Sequence, residues 1–229
     1  MTGPREHTWP VAVLFDMDGL LIDSEPLWSV AEEELMAELG GPWHAGIKAA
    51  LIGKRLTETS EIFLSFAPDS DRDAAWVEAF ILRRMCELFH ERLPWRPGAQ
   101  RLLDALGELD VPLALVSSSY RSLIDAALDD IGADRFAVTV AGDEVEHPKP
   151  HPEPYLRAAL AIGVPPESCI VLEDSLTGIR AGEAAGCVVV GVPSYFEVPE
   201  APGRHVVASL VDIDPHWLLG LVRPVEAAG

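Results

Sequence analysis

The sequence predicts an α/β fold in which a parallel β-sheet lies between helices and an all-helical segment follows the first strand. From about residue 97, short aliphatic runs alternate with helical patterns, which is typical of parallel strands joined by helices. Residues 24–93 show helical patterns and no convincing strand. The chain has 229 residues, 48% of them hydrophobic, enough for a main domain that carries a smaller one. We therefore predict a core domain of residues 1–23 and 94–229 and a helical domain of residues 24–93.

The predicted core strands are short apolar runs rich in aliphatic side chains. They cover residues 11–15, 112–116, 137–140, 169–172 and 188–192. Between them, apolar residues recur at helical spacing at about 98–109, 121–131, 153–162 and 177–185. In the insertion, a helix begins near Ser24 and Pro26 and ends at Gly40, and clearer helical stretches follow at 62–66 and 74–89.

The charge balance limits the choice of partners. With 17 Lys and Arg against 37 Asp and Glu, the formal net charge is −20. A surface this negative repels nucleic acids and anionic lipid headgroups, so we expect neither nucleic acid nor membrane as a partner. Small molecules remain as the expected ligands.

The cysteines and the apolar runs indicate a cytoplasmic protein. Cys86, Cys169 and Cys187 are an odd number without CxxC spacing, which favours free thiols over a disulfide framework or a zinc site. The N-terminus lacks the apolar stretch of a signal peptide, and no run reaches the roughly 18 residues of a membrane span. Because no exposed apolar stripe is evident, we expect a monomer.

Polar residues follow three of the predicted strands. These segments are Asp16-Met17-Asp18-Gly19, Ser117-Ser118-Ser119 and Glu173-Asp174-Ser175. Taken singly, each is explained more readily by a turn, a helix cap or solvated surface than by a function. In open α/β sheets, however, ligands bind beyond the carboxyl ends of the strands. The three segments together therefore predict one cleft that gathers several carboxylates.

Such a cleft requires a cation. Two carboxylates about 5 Å apart repel by roughly 3 kcal/mol at an effective dielectric near 20. Hard carboxylate oxygens select Mg²⁺, which shares its coordination with water and a substrate phosphate. A phosphoryl-transfer site would use one aspartate as nucleophile and a second as acid and base. Ser117 and Lys149, the latter between Pro148 and Pro150, are candidates for holding the phosphoryl oxygens, and Gly19 would permit a tight turn.

In these motifs the chain resembles the haloacid dehalogenase superfamily. The resemblance rests on the run from Phe15 to Leu27, on Val116-Ser117-Ser118-Ser119, on Lys149-Pro150, and on Val171 to Ser175 with Gly178, Ala181 and Gly186. All four motifs of the superfamily occur in order. The helical insertion resembles the C1-type cap of its phosphatase and β-phosphoglucomutase subfamily. The resemblance implies a Rossmann-like core with a parallel sheet and a small helical cap.

The resemblance also assigns roles to residues. It implies that Asp16 is the nucleophile and Asp18 the general acid and base. It further implies that Mg²⁺ is held by Asp16, the backbone carbonyl of Asp18, and Asp174, with Glu173 as a direct or water-mediated support. The phosphate-binding group comprises Asp18, Gly19, Ser117, Ser118 and Lys149.

Three functions are compared in the light of this resemblance. The favoured one is a phosphatase that acts on a small phosphorylated metabolite, such as a sugar or sugar-alcohol phosphate. The alternative is a β-phosphoglucomutase, but the mutases carry a histidine where this chain has Trp28 and an arginine where it has Leu56. The phosphatases similar to this chain carry an arginine two residues after the cap glycine, as Arg55 follows Gly53. A second alternative is a catalytically silent binding module on the same scaffold.

Substrate choice in this subfamily comes from the cap. The candidates for those contacts are Glu25, Lys54, Arg55 and Glu58. The alternative, without a role in binding, is that the charged residues near Gly53 are the solvated end of a helix. In the core, His147 stands where many relatives carry glycine, and we interpret His151 and Glu153 as loop and helix-start residues.

Overall fold

The computed structural model describes residues 11–51, 54 and 56–222. Their contacts divide the chain into two compact units. The first contains the described residues up to Asp23, Pro94–Ile124 and the described residues from Ile131 onward. The second contains Ser24–Leu93, in which residues 52, 53 and 55 lie outside the description, together with Asp125–Asp130.

The first unit is built on a parallel sheet of six strands in the order β3-β2-β1-β4-β5-β6. The strands are β1 (Ala12–Phe15), β2 (Leu113–Val116), β3 (Val138–Val140), β4 (Cys169–Glu173), β5 (Val188–Gly191) and β6 (Arg204–Val206). The α/β fold with a parallel sheet is as the sequence predicts. The strand β6 is not predicted, because its three residues, Arg-His-Val, form no apolar run; pairing with β5 defines it.

The described helices are α1 (Glu25–Glu38), α2 (Ala45–Leu51), α3 (Leu56–Ser65), α4 (Ala74–Glu91), α5 (Ala99–Glu108), α6 (Arg121–Ile131), α7 (Glu153–Ile162), α8 (Leu176–Ala185) and α9 (Pro215–Leu219). Helices α1 to α4 form the insertion after β1, and none of its described residues lies in a strand. The short helices α2 and α9 are not among the predicted elements. No helix among the described residues is long and apolar enough to cross a bilayer.

The core of the first unit lies on both faces of its sheet. Successive side chains of a strand point to opposite faces, and every residue of β1, β2 and β4 is buried. Helices α7 and α8 pack on one face, where Tyr155, Ala158, Ile179 and Ala181 are completely buried against strand residues such as Val171. This packing fixes the carboxyl ends of the central strands, where the candidate site lies.

The second unit packs α1 against α4, α3 against α4, and α2 against α3. Buried apolar side chains such as Leu35, Ile47, Phe63 and Ile81 come one from each helix. Lys48 of α2 forms ion pairs of 2.7 Å with both Glu25 and Glu32 of α1. The ion pairs and the shared apolar residues tie the helices of this unit together.

Candidate active site

The site is formed where three neighbouring strands end. Strand β1 lies between β2 and β4, and its last residue, Phe15, is in register with Leu115 of β2 and Leu172 of β4. The backbone N–H of Asp16 donates to the carbonyl of Leu172 at 3.1 Å, so Asp16 is held at the end of the β1–β4 ladder. The register therefore brings the polar residues that follow these strands to one edge of the sheet.

Lys149 is the central cation of this site. Its Nζ donates to Asp16 Oδ1, Glu173 Oε1 and the carbonyl oxygen of Val116, each at 2.7 Å, and its side chain is 3% exposed. Burial alone would lower the pKa of Lys149, but the charges of Asp16 and Glu173 outweigh burial and raise it. The lysine therefore stays charged. The Lys149–Pro150 peptide bond is cis.

Glu173 is a completely buried carboxylate with donors on both oxygens. In addition to Lys149, its Oε1 accepts from the hydroxyl of Tyr155 at 2.8 Å. Its Oε2 accepts from the backbone N–H and the hydroxyl of Ser175 at 3.1 and 3.0 Å. A Cβ at Gly178 would lie 1.6 Å from Oε1, so only glycine leaves room for this carboxylate. Glu173 is thus rigidly held and orients Lys149.

Asp174 follows Glu173 and is packed against the turn after β1. Its Oδ2 accepts from the hydroxyl of Ser194. Gly19, at φ +84°, approaches so closely that a Cβ would lie 2.0 Å from the same oxygen. Burial first, and then the charge of Glu173, raise the pKa of Asp174 to about 7. The raised pKa identifies a carboxylate that lacks sufficient compensating charge.

Asp18 is held by two hydroxyls from the segment after β2. Its Oδ2 accepts from Ser119 Oγ at 2.8 Å and from Ser117 Oγ at 3.2 Å. Ser117 Oγ itself accepts from the backbone N–H of Ser119 at 2.9 Å. The two aspartates of the first motif therefore have different environments: Asp16 pairs with an ammonium group, and Asp18 accepts from neutral donors. That difference suits two distinct roles in one reaction.

The carboxylates of this site fit a divalent metal ion. Asp16, Glu173 and Asp174 each offer one oxygen atom, and these atoms lie within 4.8 Å of one another. Burial first, and then the charge of Glu173, raise the pKa of Asp16 well above its ordinary value in spite of Lys149. One lysine thus does not compensate for the clustered carboxylates, and a hard cation such as Mg²⁺ matches their oxygen donors.

The predicted core residues belong to the first unit, and the predicted cap residues that the structure describes belong to the second. Ser118, two residues after the end of β2, is exposed. Glu25, Lys54 and Glu58 belong to the second unit, where Glu25 pairs with Lys48 and where Lys54 and Glu58 are exposed. The prediction for Arg55 and its neighbour Gly53 lies outside the described residues. The roles of these residues stay predictions.

Tyr155, Ser119 and Ser194 are partners of the site that the sequence reasoning missed. Each donates a hydroxyl to one of the clustered carboxylates. Ser119 could have been found, because it belongs to the serine run after the second predicted strand. Tyr155 and Ser194 carry no comparable signal, since a helix and a loop far along the chain bring them to the site.

The comparisons with known proteins agree with this geometry. Residues 11–186 match the family model of the haloacid dehalogenase-like hydrolases. The chain belongs to this family. This haloacid dehalogenase-like hydrolase is 32% identical in sequence to hexitol phosphatase B of Escherichia coli K12. The match covers 96% of this chain and 100% of that protein.

Two solved structures are similar to this haloacid dehalogenase-like hydrolase. CbbY from Rhodobacter sphaeroides, in complex with phosphate, gives a TM-score of 0.79 at 28% identity, covering 89% of this chain and 96% of that one. A putative β-phosphoglucomutase from Thermotoga maritima gives a TM-score of 0.76 at 27% identity, covering 92% of this chain and 97% of that one. The predicted family and fold class are thereby confirmed.

Proposed function

We propose that this chain is a Mg²⁺-dependent phosphatase that hydrolyses a small sugar phosphate or sugar-alcohol phosphate through an aspartyl phosphate at Asp16. Phosphoric monoester hydrolysis itself follows from the family match and from the relative named as a phosphatase. The metal, the intermediate and the substrate class are the proposed steps. The observation that carries them is the grouping of Asp16, Asp18, Lys149 and Asp174 at one sheet edge.

In the first proposed step, a carboxylate oxygen of Asp16 attacks phosphorus. The bond from phosphorus to the ester oxygen breaks, and Asp18 gives its proton to the leaving alkoxide. Lys149 orients Asp16 through their ion pair, and its positive charge would also attract the oxygens of the transferring phosphoryl group. The hydroxyls of Ser117 and Ser119 fix the carboxyl group of Asp18.

In the second proposed step, Asp18 takes a proton from water as the water oxygen attacks the phosphorus of the aspartyl phosphate. The bond between phosphorus and Asp16 breaks, and inorganic phosphate and free Asp16 are formed. Mg²⁺ would be held by Asp16, the Asp18 carbonyl and Asp174, with direct or water-mediated support from Glu173. Its positive charge would offset the negative charge of the phosphoryl group. Gly19, Ser117, Ser118 and Lys149 remain the proposed phosphate-binding residues.

We also propose that the second unit is the cap that selects the substrate. Glu25, Lys54, Arg55 and Glu58 remain the candidate contacts. The relative named hexitol phosphatase B, which this chain matches over nearly its whole length, supports a sugar-alcohol phosphate. The further expectations, a cytoplasmic monomer that binds neither nucleic acids nor membranes, stay predictions.

A panel of phosphate esters tests the proposal. The panel contains hexitol phosphates, hexose phosphates, phosphoglycolate and an activated aryl phosphate, each measured with MgCl₂ and again with excess EDTA. We expect sugar or sugar-alcohol phosphates to give the highest kcat/KM and EDTA to abolish turnover. Asp16→Asn should release no phosphate while its circular dichroism and melting temperature stay close to those of the wild type. Substantial turnover by that variant would refute the intermediate.

A β-phosphoglucomutase is the second candidate, favoured by the similarity to the Thermotoga maritima structure. Two residues of this chain argue against a mutase. Leu56 is buried and apolar, so it offers no cation where the mutases carry arginine, and Trp28 offers no imidazole. Incubation with β-glucose 1-phosphate distinguishes the two. Glucose 6-phosphate without matching free phosphate would favour the mutase, and inactivity on every ester would favour a silent binding module.

A further inference from the structure

A second group of metal-ligating side chains lies outside the site described above. His147 and His151 flank the segment that carries Lys149, and Glu153 begins α7. The two imidazole rings have centroids 4.7 Å apart, and His147 Nδ1 lies 3.0 Å from Glu153 Oε2. One ligand atom from each of the three side chains lies within 4.8 Å of the others. Two nitrogens and one oxygen therefore already converge without a metal.

The backbone holds this group in place. Glu153 Oε1 and Oε2 accept from the backbone N–H groups of Glu146 and His147 at 2.8 and 2.9 Å. The N–H of His151 closes a turn onto the carbonyl of Pro148 at 3.0 Å. A carboxylate that is fixed in this way loses little freedom when it binds an ion.

The group is open to solvent and can adjust. The side chain of His147 is 56% exposed and that of Glu153 is 29% exposed. The contact between His147 Nδ1 and Glu153 Oε2 is close to the separation of two ligands on one tetrahedral ion, about 3.3 Å for bonds near 2.0 Å. His151 Nδ1 accepts only a long hydrogen bond of 3.2 Å from the N–H of Glu153, which an ion could replace.

The donor set distinguishes this group from the carboxylate site. Two imidazole nitrogens and one carboxylate oxygen suit Zn²⁺ and the late first-row divalent ions, with water in a fourth position. Mg²⁺ instead demands six oxygen ligands in octahedral geometry. We propose that His147, His151 and Glu153 form a second metal site, selective for Zn²⁺ or a similar transition ion over Mg²⁺.

The position of the site implies a structural effect. His147 and His151 lie two residues before and two residues after Lys149. An ion bound by both would close a short loop around the residue that pairs with Asp16 and Glu173. The three ligands come together only in the folded chain, so Zn²⁺ should bind the folded chain in preference to the unfolded one. We therefore expect Zn²⁺ to raise the melting temperature of the protein.

The test is a calorimetric titration of the full chain with ZnCl₂, in excess MgCl₂ so that the carboxylate site is occupied. We expect one Zn²⁺ per chain, and at least tenfold weaker binding in His147→Ala and in His151→Ala. The matched control is His216→Ala, another exposed histidine of the same unit, which should bind as the wild type does. Asp174→Asn should also keep the Zn²⁺ affinity of the wild type.

Two outcomes of the titration would overturn the proposal. One is unchanged Zn²⁺ affinity in both His147→Ala and His151→Ala, and the other is loss of binding in Asp174→Asn alone. A second measurement does not depend on the stability of any variant: anomalous scattering at the zinc edge from wild-type crystals soaked in ZnCl₂. A peak between His147, His151 and Glu153 supports the site, and a peak only at Asp16 and Asp174 refutes it.

Discussion

Replacing Gly19 by alanine tests whether Asp174 belongs to the catalytic centre. The new Cβ would lie 2.0 Å from Asp174 Oδ2, whereas ordinary van der Waals contact begins at 3.4 Å. The carboxylate must therefore move by more than ~1 Å, a displacement that commonly costs on the order of a hundredfold in rate at a catalytic group. Ser194, 3.1 Å from the same Cβ, limits the space into which Asp174 can turn.

The backbone strain of this substitution can be measured separately. Gly19 has φ +84° and Gly163 has φ +78°, and a Cβ at Gly163 meets nothing within 4 Å. Backbone strain should cost each variant about 1–2 kcal/mol of stability, since alanine in the left-handed region costs that much at either site. Gly19→Ala should lose more than Gly163→Ala, because its Cβ also collides with Asp174. Only Gly19→Ala displaces Asp174. Gly163→Ala is therefore the matched control for any loss of activity that comes from backbone strain.

The assay compares the two variants in hydrolysis of an activated aryl phosphate over a range of MgCl₂ concentrations, with urea unfolding in parallel. We expect kcat/KM to fall about a hundredfold in Gly19→Ala, with a higher Mg²⁺ requirement, because the proposed metal ligand Asp174 is displaced. Gly163→Ala should stay within about twofold of the wild type, since its strain lies away from the carboxylates. Equal kcat/KM and equal Mg²⁺ requirement in both variants would show that Asp174 does not hold the metal.

Three further predictions concern the charges around the site. Lys149→Met should destabilise the metal-free protein by about 3–5 kcal/mol in urea unfolding, because two buried carboxylates lose their cation. Lys48→Met should cost less, because Glu25, one of its two partners, is 42% exposed; equal losses would contradict this. Tyr155→Phe should lose about 1.5–3 kcal/mol, the value of a hydrogen bond to a charged group, and an unchanged unfolding midpoint would refute the role of its hydroxyl. Because the pKa of Asp174 is raised to about 7 from 3.8, the metal-free folded chain holds a proton that the unfolded chain has released. Its stability should therefore rise as the pH falls from about 7 toward 3.8, while Mg²⁺ affinity in calorimetry should weaken over the same range; pH-independent Mg²⁺ binding would contradict the competition.

The sequence predicts the central strands well because burial on both faces leaves them almost no polar residues. The run before Asp16 and the run before Glu173 are aliphatic for this reason, and the parallel register then places both carboxylates at the same edge. The candidate site was predictable to the same extent. Its carboxylates follow closely after strand ends, which is a local property of the sequence, whereas Lys149 was indicated by its two flanking prolines.

The residues that hold those charges in place were not predictable in the same way. Tyr155 lies on a helix, and its sequence position says only that it is buried or half-buried; the partner of its hydroxyl depends on how α7 packs on the sheet. Ser194 reaches Asp174 from the loop after β5. Such contacts depend on tertiary structure, and buried polar groups find partners wherever the packing provides them.

The net charge of −20 limits phosphate binding differently at the surface and at the site. Asp16, Asp18, Glu173 and Asp174 with Lys149 give a local formal charge of −3, and one Mg²⁺ would leave −1. A dianionic ester would still be repelled unless a proton is added. In the proposed mechanism Asp18, as the general acid, carries a proton when the ester binds, and that proton brings the local charge to zero. The same proton is therefore required both for the proposed chemistry and for binding of the ester. Asparagine at position 18 is neutral but cannot transfer a proton, so Asp18→Asn should weaken hydrolysis far more than it weakens the binding of inorganic phosphate.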